Sequence, residues 1–371
     1  MNDNTNKKVL FISNGFAEDQ VALAIIRELK KISPNIDISA FPIVGDAKHF
    51  KGIKVIGPHW ELPSHGVCVG FINLLKDILG GAIFLYIGQL ISLFLNREKF
   101  DLVVGVGDYV SIIYSGLTIK KPFIFVWSCP TPEFPKRSKK YLNKYGIVAF
   151  PLKREYKHLN DTGIKVEYVG NPTLDVPEIT GDDLGLNKSK RTLGILPGSR
   201  DYIFEEIPII MNIISKVKEK KDMNIAIGLS LKQDPEKYRA IAKRHKSYSD
   251  DIIIKQKFGD VLINSDIILG LGGASSETAA GMGKPIVTFW GKEETRRSKE
   301  MVEAHVNSIL KDSALFVEPD PEKVSQEIIA LLENPQKMKT MGQRGKEIMG
   351  PKGASKKIAE RIYKYLTEGK I

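Results

Sequence analysis

The sequence predicts an α/β protein with two doubly wound parallel-sheet domains. Short apolar runs of strand length alternate with helix-length stretches, and this alternation stops and restarts around residues 172–190, which are rich in Pro, Gly and Asp. The length of 371 residues also suits two domains. We predict domains over residues 1–175 and 190–352, with a terminal helix over 353–371 that packs back on the first domain. Such sheets bind ligands at the carboxyl ends of their strands, so we expect the domains to face each other across a ligand-binding cleft.

The first half opens with a strand at Lys8–Ser13, a turn at Asn14-Gly15 and a helical pattern over residues 18–32. Apolar runs bounded by turn residues then predict the remaining strands. In this half they fall at 36–41, 54–56, 102–106, 122–126, 147–150 and 166–168. In the second half strands are predicted at 192–196, 225–228, 251–254, 267–269, 285–289 and 314–317, and helices at 205–220, 235–246 and 354–366.

The composition indicates an anionic partner. The formal net charge is +11, which favours a nucleic acid, a phosphorylated ligand or an acidic membrane face. No nucleic-acid-binding motif occurs, so we expect no nucleic acid. Two cysteines cannot form a disulfide scaffold or a structural zinc site, and the six scattered histidines lack metal-binding spacing. These residues therefore predict no zinc site, and the sequence indicates no cofactor.

Residues 66–95 form an unusually apolar segment. Only Lys76 and Asp77 are charged, and the 18 residues from Ile78 to Leu95 carry no charge. Three interpretations stay open: a buried pair of core helices, a helix lying on or dipping into a membrane surface, and a membrane span. The first residues are polar and do not resemble a signal peptide, so we expect a chain that starts in the cytoplasm.

A basic run without acidic residues begins at Lys136 and continues through Arg137, Lys139 and Lys140. It is typical of a solvated helix face. It would equally suit contact with an anionic membrane or a phosphorylated acceptor.

The first motif with chemical content is Leu196-Pro197-Gly198-Ser199-Arg200, between a predicted strand and a predicted helix. Gly198 allows close backbone approach to a ligand, and free amides near a helix start suit an anion. The Arg200 guanidinium can pair with two phosphate oxygens, and Ser199 lies beside it. An ordinary strand-to-helix turn is the alternative.

A second motif, Leu269 to Glu277, reads LGLGGASSE and opens a predicted helix. Its small residues leave the helix start uncovered, so a diphosphate fits there. Glu277 lies one turn further on, where a carboxylate can bind two ribose hydroxyls. This pattern indicates a nucleotide. The candidate donor-binding residues are therefore Gly198, Ser199, Arg200, Gly272, Gly273, Ala274, Ser275 and Glu277.

Two more turns carry acidic residues. Glu18 and Asp19 follow Gly15 after the first strand, where they suit either a helix start or the acceptor side of a site. Asp108 follows the strand at 102–106, where it can cap the next helix or deprotonate a sugar hydroxyl.

These motifs, in this order, resemble the lipid-A-disaccharide synthase family of glycosyltransferases, which have the two-domain GT-B fold. The resemblance covers most of the chain. Its strings are Gly105-Val106-Gly107-Asp108, Trp127-Ser128-Cys129-Pro130, Tyr168-Val169-Gly170-Asn171-Pro172, Leu196-Pro197-Gly198-Ser199-Arg200, Gly273-Ala274-Ser275-Ser276-Glu277 and Gly283-Lys284-Pro285.

The resemblance implies inverting, metal-independent transfer of a sugar from a UDP-sugar to a lipid-linked acceptor, at the cytoplasmic face of the membrane. It implies that Arg200 holds the diphosphate, that residues 273–275 cradle phosphate and that Glu277 holds the ribose. By the same resemblance Asp108 is a catalytic carboxylate, and Asp19 matches an acidic position at the end of the first loop; we group Glu18 with them.

The first loop, Ser13 to Asp19, departs from the family wording. It is closer to a related group whose loop reads Ser-Asn-Gly-His-Gly-Glu-Asp, but here Phe16-Ala17 replaces His-Gly, so this loop contains no histidine base. Two alternatives follow: an isomerase similar to UDP-GlcNAc 2-epimerase, and a binding protein that keeps the fold without the chemistry.

Overall fold

The computed structural model describes residues 7–63, 71–128, 135–155, 159, 163–292 and 297–370. The chain divides into two compact units. Unit 1 comprises Met1–Val176 and Lys352–Ile371, and unit 2 comprises Pro177–Pro351. Each contains a parallel sheet with helices between its strands, so the predicted fold class is confirmed.

Unit 1 has a seven-stranded parallel sheet in the order β3-β2-β1-β4-β5-β6-β7. Its strands are β1 (Lys8–Ser13), β2 (Asp37–Pro42), β3 (Lys54–Val55), β4 (Leu102–Gly107), β5 (Phe123–Trp127), β6 (Gly146–Phe150) and β7 (Lys165–Val166). Its helices are α1 (Phe16–Ile32), α2 (Phe71–Leu79), α3 (Ala82–Asn96), α4 (Val110–Thr118), α5 (Lys136–Tyr145) and, from the end of the chain, α13 (Ala354–Glu368). The strand order reverses between β1 and β4, so the loops after these two strands are where a doubly wound sheet binds its ligand.

Unit 2 has a six-stranded parallel sheet in the order β10-β9-β8-β11-β12-β13. Its strands are β8 (Thr192–Leu196), β9 (Asn224–Gly228), β10 (Ile253–Lys255), β11 (Ile267–Gly270), β12 (Ile286–Phe289) and β13 (Ala314–Val317). Its helices are α6 (Ile203–Lys220), α7 (Pro235–Ala242), α8 (Phe258–Asn264), α9 (Gly273–Gly281), α10 (Lys299–His305), α11 (Pro321–Leu332) and α12 (Pro335–Met349). The order reverses between β8 and β11.

The central strands are buried on both faces, which is why they read as unbroken apolar runs rather than as alternating patterns. In β1, Val9 and Phe11 pack into the core shared with α1 and α13, whereas Leu10 and Ile12 pack into the core on the opposite face of the sheet. This double burial fixes the end of β1, and with it the loop that follows.

The terminal helix α13 belongs to unit 1. It packs on α1 through apolar residues that include Ile358 and Ile362. Asp175 fixes its start by accepting hydrogen bonds from the amides of Gly353 (2.7 Å) and Ser355 (2.8 Å). The predicted linker is divided between the units. Its part beyond Val176 is held within unit 2 by Asp260, which accepts hydrogen bonds from Thr180 and Gly181.

The apolar segment forms α2 and α3, and its residues 66–70 lie outside the described part of the chain. One side of α3 is buried through Leu85, Gln89 and Leu93, and the Gln89 amide donates to the Ile43 carbonyl (2.8 Å). The other side is between 50% and 79% exposed. We call this the apolar face of α3; it consists of Ile83, Phe84, Ile87, Ile91, Phe94 and Leu95. Among the helices of the described residues, none combines the length and apolar character that a bilayer span requires.

Candidate active site

The loop after β1 brings a buried carboxylate to the edge of the sheet. Gly15 has φ +115°, a conformation that L-residues rarely adopt, and α1 begins at the next residue. Asp19, in the first turn of α1, is fully buried and accepts a hydrogen bond from the Ser13 hydroxyl. Asp19 is therefore not simply a solvent-exposed acidic residue at the start of a helix.

His49 lies against this carboxylate. Its Nε2 is 2.8 Å from Asp19 Oδ2. Burial raises the pKa of Asp19, and the hydrogen bonds to His49 and Ser13 oppose that rise. No local pattern predicts this pair, because His49 is 30 residues from Asp19 and belongs to the loop after β2. Only the pairing of β1 with β2 brings the carboxyl ends of the two strands together.

The loop after β4 places Asp108 beside the first loop. Its Oδ2 accepts a hydrogen bond from Asn14 Nδ2 (3.0 Å), and its Oδ1 accepts one from the Val110 amide (2.8 Å). The bond from the Val110 amide is the capping contact expected of an aspartate at a helix start. The bond from Asn14 is a tertiary contact that capping does not require. Burial raises the pKa of Asp108, and these hydrogen bonds oppose the rise.

Glu18 packs over Gly107, the residue before Asp108. A Cβ on Gly107 would lie 2.7 Å from Glu18 Cγ, and Gly107 has φ +117°. This glycine therefore lets the loops after β1 and β4 approach each other. The structure places Gly15, Glu18, Asp19 and Asp108 together at the carboxyl ends of these two strands.

In unit 2, the two glycine loops meet through backbone alone. A Cβ on Gly272 would lie 3.0 Å from the Gly198 Cα, and Gly198 has φ +102°. The Leu271 amide also donates to the Leu196 carbonyl (2.9 Å). These contacts leave a surface without bulky side chains where the strand order reverses.

The start of α9 offers unused backbone donors. Its N-cap is Gly272, which has no side chain to satisfy the amides of the first turn. Gly273 and Ala274 are exposed, and the Ser275 hydroxyl donates a hydrogen bond to the Gly272 carbonyl (3.2 Å). Free amides and the positive end of the helix dipole are suited to an anion.

Arg200 follows β8, whose neighbour in the sheet, β11, leads into α9. Its loop is fixed by Gln233 Nε2, which donates to the Ser199 carbonyl (2.6 Å). The Arg200 side chain is half-buried, and no hydrogen bond or ion pair joins it to another described residue. Its guanidinium therefore keeps its donors for a ligand.

Glu277 is buried one turn into α9, and His305, the last residue of α10, places its Nε2 3.2 Å from Glu277 Oε1. No spacing in the sequence relates His305 to Glu277, so this contact could not be predicted.

Arg297 is a third residue that the sequence did not reveal. It is almost completely buried, and its Nε donates to Glu206 Oε1 (2.7 Å). Its remaining nitrogens donate to two carbonyls at the same edge of the sheet, those of Leu271 and Phe289. These hydrogen bonds of Arg297 therefore fix the glycine loop after β11.

The predicted basic residues Lys136, Arg137, Lys139 and Lys140 lie on α5, which packs against α4. They do not belong to the loops after β1 and β4. Cys129 and Pro130, which carried part of the resemblance, lie outside the described residues. Within the described ranges, no cluster of three or more His, Cys, Asp or Glu side chains could hold a metal ion.

A family model decides the identification. The model of the lipid-A-disaccharide synthetase family matches residues 10–290. The chain belongs to this family. It is a lipid-A-disaccharide synthase-like glycosyltransferase.

Individual relatives are distant but extend over the whole chain. The lipid-A-disaccharide synthase of Nitrosococcus oceani is 23% identical over 96% of this chain and 96% of its own. Among solved structures, the calicheamicin glycosyltransferase CalG4 is 13% identical with a TM-score of 0.63, covering 98% of this chain and 99% of its own. The UDP-GlcNAc 2-epimerase of Neisseria meningitidis, bound to UDP-GlcNAc, is 19% identical with a TM-score of 0.59, covering 96% of this chain and 100% of its own. These two structures share the fold with the family member described here.

Proposed function

We propose that this protein transfers a sugar from a UDP-sugar to a lipid acceptor, with inversion at the anomeric carbon and without a metal ion, at the cytoplasmic face of the membrane. The observation that carries the proposal is the small-residue surface in unit 2, where the backbones of Gly198 and Gly272 meet and the first turn of α9 is uncapped. The family membership supports the same chemistry.

Unit 2 holds the donor in this proposal. The amides of residues 273–275 bind diphosphate oxygens, and the Arg200 guanidinium pairs with the same group. Glu277, buried and held by His305, accepts hydrogen bonds from the ribose hydroxyls. Because these groups are fixed before the reaction, they stabilise the negative charge that develops on the departing UDP. Arg200 and the helix dipole thus supply the positive charge that a metal ion provides in other transferases.

Unit 1 supplies the acceptor side. Inversion requires the acceptor hydroxyl to attack the anomeric carbon from the side opposite UDP. Asp108 is the carboxylate that holds this hydroxyl by a hydrogen bond and increases its nucleophilicity. Asn14 and the Val110 amide fix the orientation of Asp108, so little ordering remains to be done when the acceptor binds.

Two surfaces of unit 1 support a lipid acceptor at a membrane. The apolar face of α3 is large for an exposed surface, and patches of this kind mark interaction sites. Helix α4 packs against both α3 and α5, so the apolar face and the basic run belong to one layer of helices. An apolar helix surface combined with lysines and arginines is suited to an anionic bilayer.

The reaction is tested by incubating the protein with a panel of UDP-sugars and total membrane lipids, followed by mass spectrometry of the glycolipids. We expect a lipid that gains one sugar. Release of UDP without any lipid product, together with an epimerised sugar nucleotide in the NMR spectrum, would replace this proposal with the epimerase alternative. Nucleotide binding without turnover on every donor and lipid would indicate a binding protein.

The donor site is tested by titration calorimetry with UDP. Arg200→Ala and Glu277→Ala should each weaken UDP binding at least about tenfold, because each removes charge-assisted hydrogen bonds worth about 1.5–3 kcal/mol. Arg344→Ala, which removes an exposed arginine of α12, is the matched control. Unchanged UDP affinity in both site variants would exclude the donor assignment. Asp108→Asn should instead lower turnover while leaving UDP affinity unchanged.

A further inference from the structure

The proposed transfer needs a destination for the proton of the acceptor hydroxyl. Asp108 can orient this hydroxyl, but both of its carboxylate oxygens already accept hydrogen bonds, from Asn14 and from the Val110 amide. These hydrogen bonds oppose the rise in pKa that burial gives Asp108, and they engage both of its oxygens. A further basic group at the same edge of the sheet would give the proton a destination.

His49 is an imidazole held rigidly at that edge. Its Nε2 is fixed by Asp19 at 2.8 Å, the ring of Phe16 meets it edge-on at 5.4 Å between centroids, and the ring of Phe50 lies 4.9 Å away. The side chain is 14% exposed, so it is largely enclosed without being sealed from solvent. An ionised Asp19 accepts the Nε2 proton, and this leaves Nδ1 as the basic nitrogen.

We propose that His49, oriented by Asp19, is the general base that accepts the proton of the acceptor hydroxyl. This inference rests on the proposed glycosyl transfer. The hydroxyl oxygen bonds to the anomeric carbon, the bond from that carbon to the diphosphate oxygen breaks, and its electron pair leaves with UDP. The hydroxyl proton passes to Nδ1 of His49, and Asp19 stabilises the resulting imidazolium.

The buried carboxylate is what suits His49 to this role. A protonated imidazole beside an ionised, fully buried carboxylate gains a strong charge-assisted hydrogen bond, so Asp19 favours the state that follows proton transfer. The Ser13 hydroxyl binds the other oxygen of Asp19 and keeps the carboxylate from turning. An aspartate and a histidine arranged in this way recur as acid–base pairs in unrelated enzymes.

Other charged groups contribute to the electrostatic environment of Asp19 and His49. Asp46 raises the pKa of Asp19, and Lys48, which pairs with Asp46 at 2.7 Å, reduces the net charge there. Glu61 acts in turn on Lys48, and Glu18 lies one residue from Asp19 on α1. Only the neutral imidazole accepts a proton, so we expect turnover to be lower at acidic pH.

A purely structural histidine would also contact Asp19, and His49→Gln separates the two roles. The glutamine amide can donate a hydrogen bond to Asp19, but it cannot accept a proton. We expect this variant to retain UDP affinity and thermal stability while kcat falls about 10²–10⁴-fold, the range of general base catalysis. His59→Gln, at an exposed histidine of the same unit, is the matched control.

The experiment measures kcat and KM for the lipid acceptor from pH 5 to 9, with UDP affinity measured in parallel. The wild type should lose kcat at acidic pH. His49→Gln should show a much lower kcat without that acidic limb, and added imidazole should restore part of the activity of His49→Ala. Wild-type kcat and an unchanged pH profile in His49→Gln would overturn the proposal. That result would leave glycosyl transfer itself intact, whereas a wild type that transfers no sugar would overturn the proposed function instead.

Discussion

His305 Nε2 lies 3.2 Å from Glu277 Oε1, which joins the end of α10 to the first turns of α9. The carboxylate proposed to hold the ribose is therefore oriented by a side chain from another element. A buried carboxylate without such a partner adopts other rotamers or becomes protonated. In the proposed function, His305 acts on the donor through Glu277.

The first prediction concerns this contact. His305→Ala should weaken UDP binding about fivefold, because one hydrogen bond contributes about 1 kcal/mol net. Acceptor KM should not change. Titration calorimetry with UDP measures the effect, and His245→Gln, at a histidine in the turn after α7, serves as the control. If Glu277→Ala weakens UDP binding and His305→Ala does not, then His305 has no part in orienting the ribose site.

The second prediction concerns Asn14, which donates to Asp108. Asn14→Ala removes the tertiary hydrogen bond but leaves the Val110 amide contact, so Asp108 should stay near its place with more rotational freedom. We expect kcat to fall about tenfold with UDP affinity unchanged, since a small misplacement of a catalytic group is costly. Steady-state kinetics with saturating donor give the answer. A kcat equal to that of the wild type would show that Val110 alone orients Asp108.

The third prediction tests the apolar face of α3. The double variant Phe84→Glu/Ile87→Glu puts two charges on a surface that already faces solvent, so folding should be preserved while membrane affinity is lost. Co-sedimentation with phosphatidylglycerol-containing vesicles measures binding. Ile179→Glu, an exposed apolar-to-acidic change in unit 2, is the matched control. Equal sedimentation of all three proteins would assign the exposed face to another role.

The fourth prediction separates charge from apolar contact. Neutralising Lys136, Arg137 and Lys140 to Gln should reduce binding to anionic vesicles, with a loss of about 1 kcal/mol per charge near the surface, and should leave binding to neutral vesicles unchanged. The remaining affinity should depend less on salt. If neither the anionic lipid content nor the triple variant alters sedimentation, these residues are only the solvated face of α5.

The fifth prediction is a pH dependence of stability. Arg361 pairs with Glu167 at 2.7 Å and holds the pKa of that carboxyl below its usual range. The pair therefore stabilises unit 1 above the unfolded pKa of about 4.3. This contribution disappears as the pH falls through the lower pKa of the folded state.

Glu167→Gln should reduce the free energy of unfolding at pH 7 by less than about 1 kcal/mol, because the Arg361 partner is partly exposed. The difference from wild type should shrink as the pH is lowered from the unfolded pKa of about 4.3 toward pH 3. Urea unfolding at both pH values measures it, and Glu368→Gln at the end of α13 is the control. A difference that persists unchanged at pH 3 would mean that Glu167 stabilises by packing rather than by charge.

The sequence was most informative where turn residues mark the end of an apolar run. β1, β8 and β13 have the predicted bounds because each apolar run ends at turn residues. The apolar segment was harder. Composition alone does not distinguish a buried helix from one that exposes half of its surface, and only the packing of Leu85, Gln89 and Leu93 decides this.

The candidate site shows the same division. Turn residues such as Asp108 and Arg200 follow predicted strands, so their motifs could be recognised in the chain. His49, Arg297 and His305 each reach the site from a different loop or helix, and they carry no local pattern. Their positions follow from strand pairing and helix packing, which a single sequence does not encode in any short spacing.

The hydrogen bonds from Gly353 and Ser355 to Asp175 have a consequence for how the chain is assembled. Unit 2 is an insertion whose two ends leave and rejoin unit 1 at neighbouring points. A stop after Val176 would therefore remove α13 and uncover the apolar surface of α1, whereas excision of 177–351 with a short bridge would keep unit 1 complete. Unit 2 is thus one continuous segment of the chain, whereas unit 1 needs both of the segments that flank it.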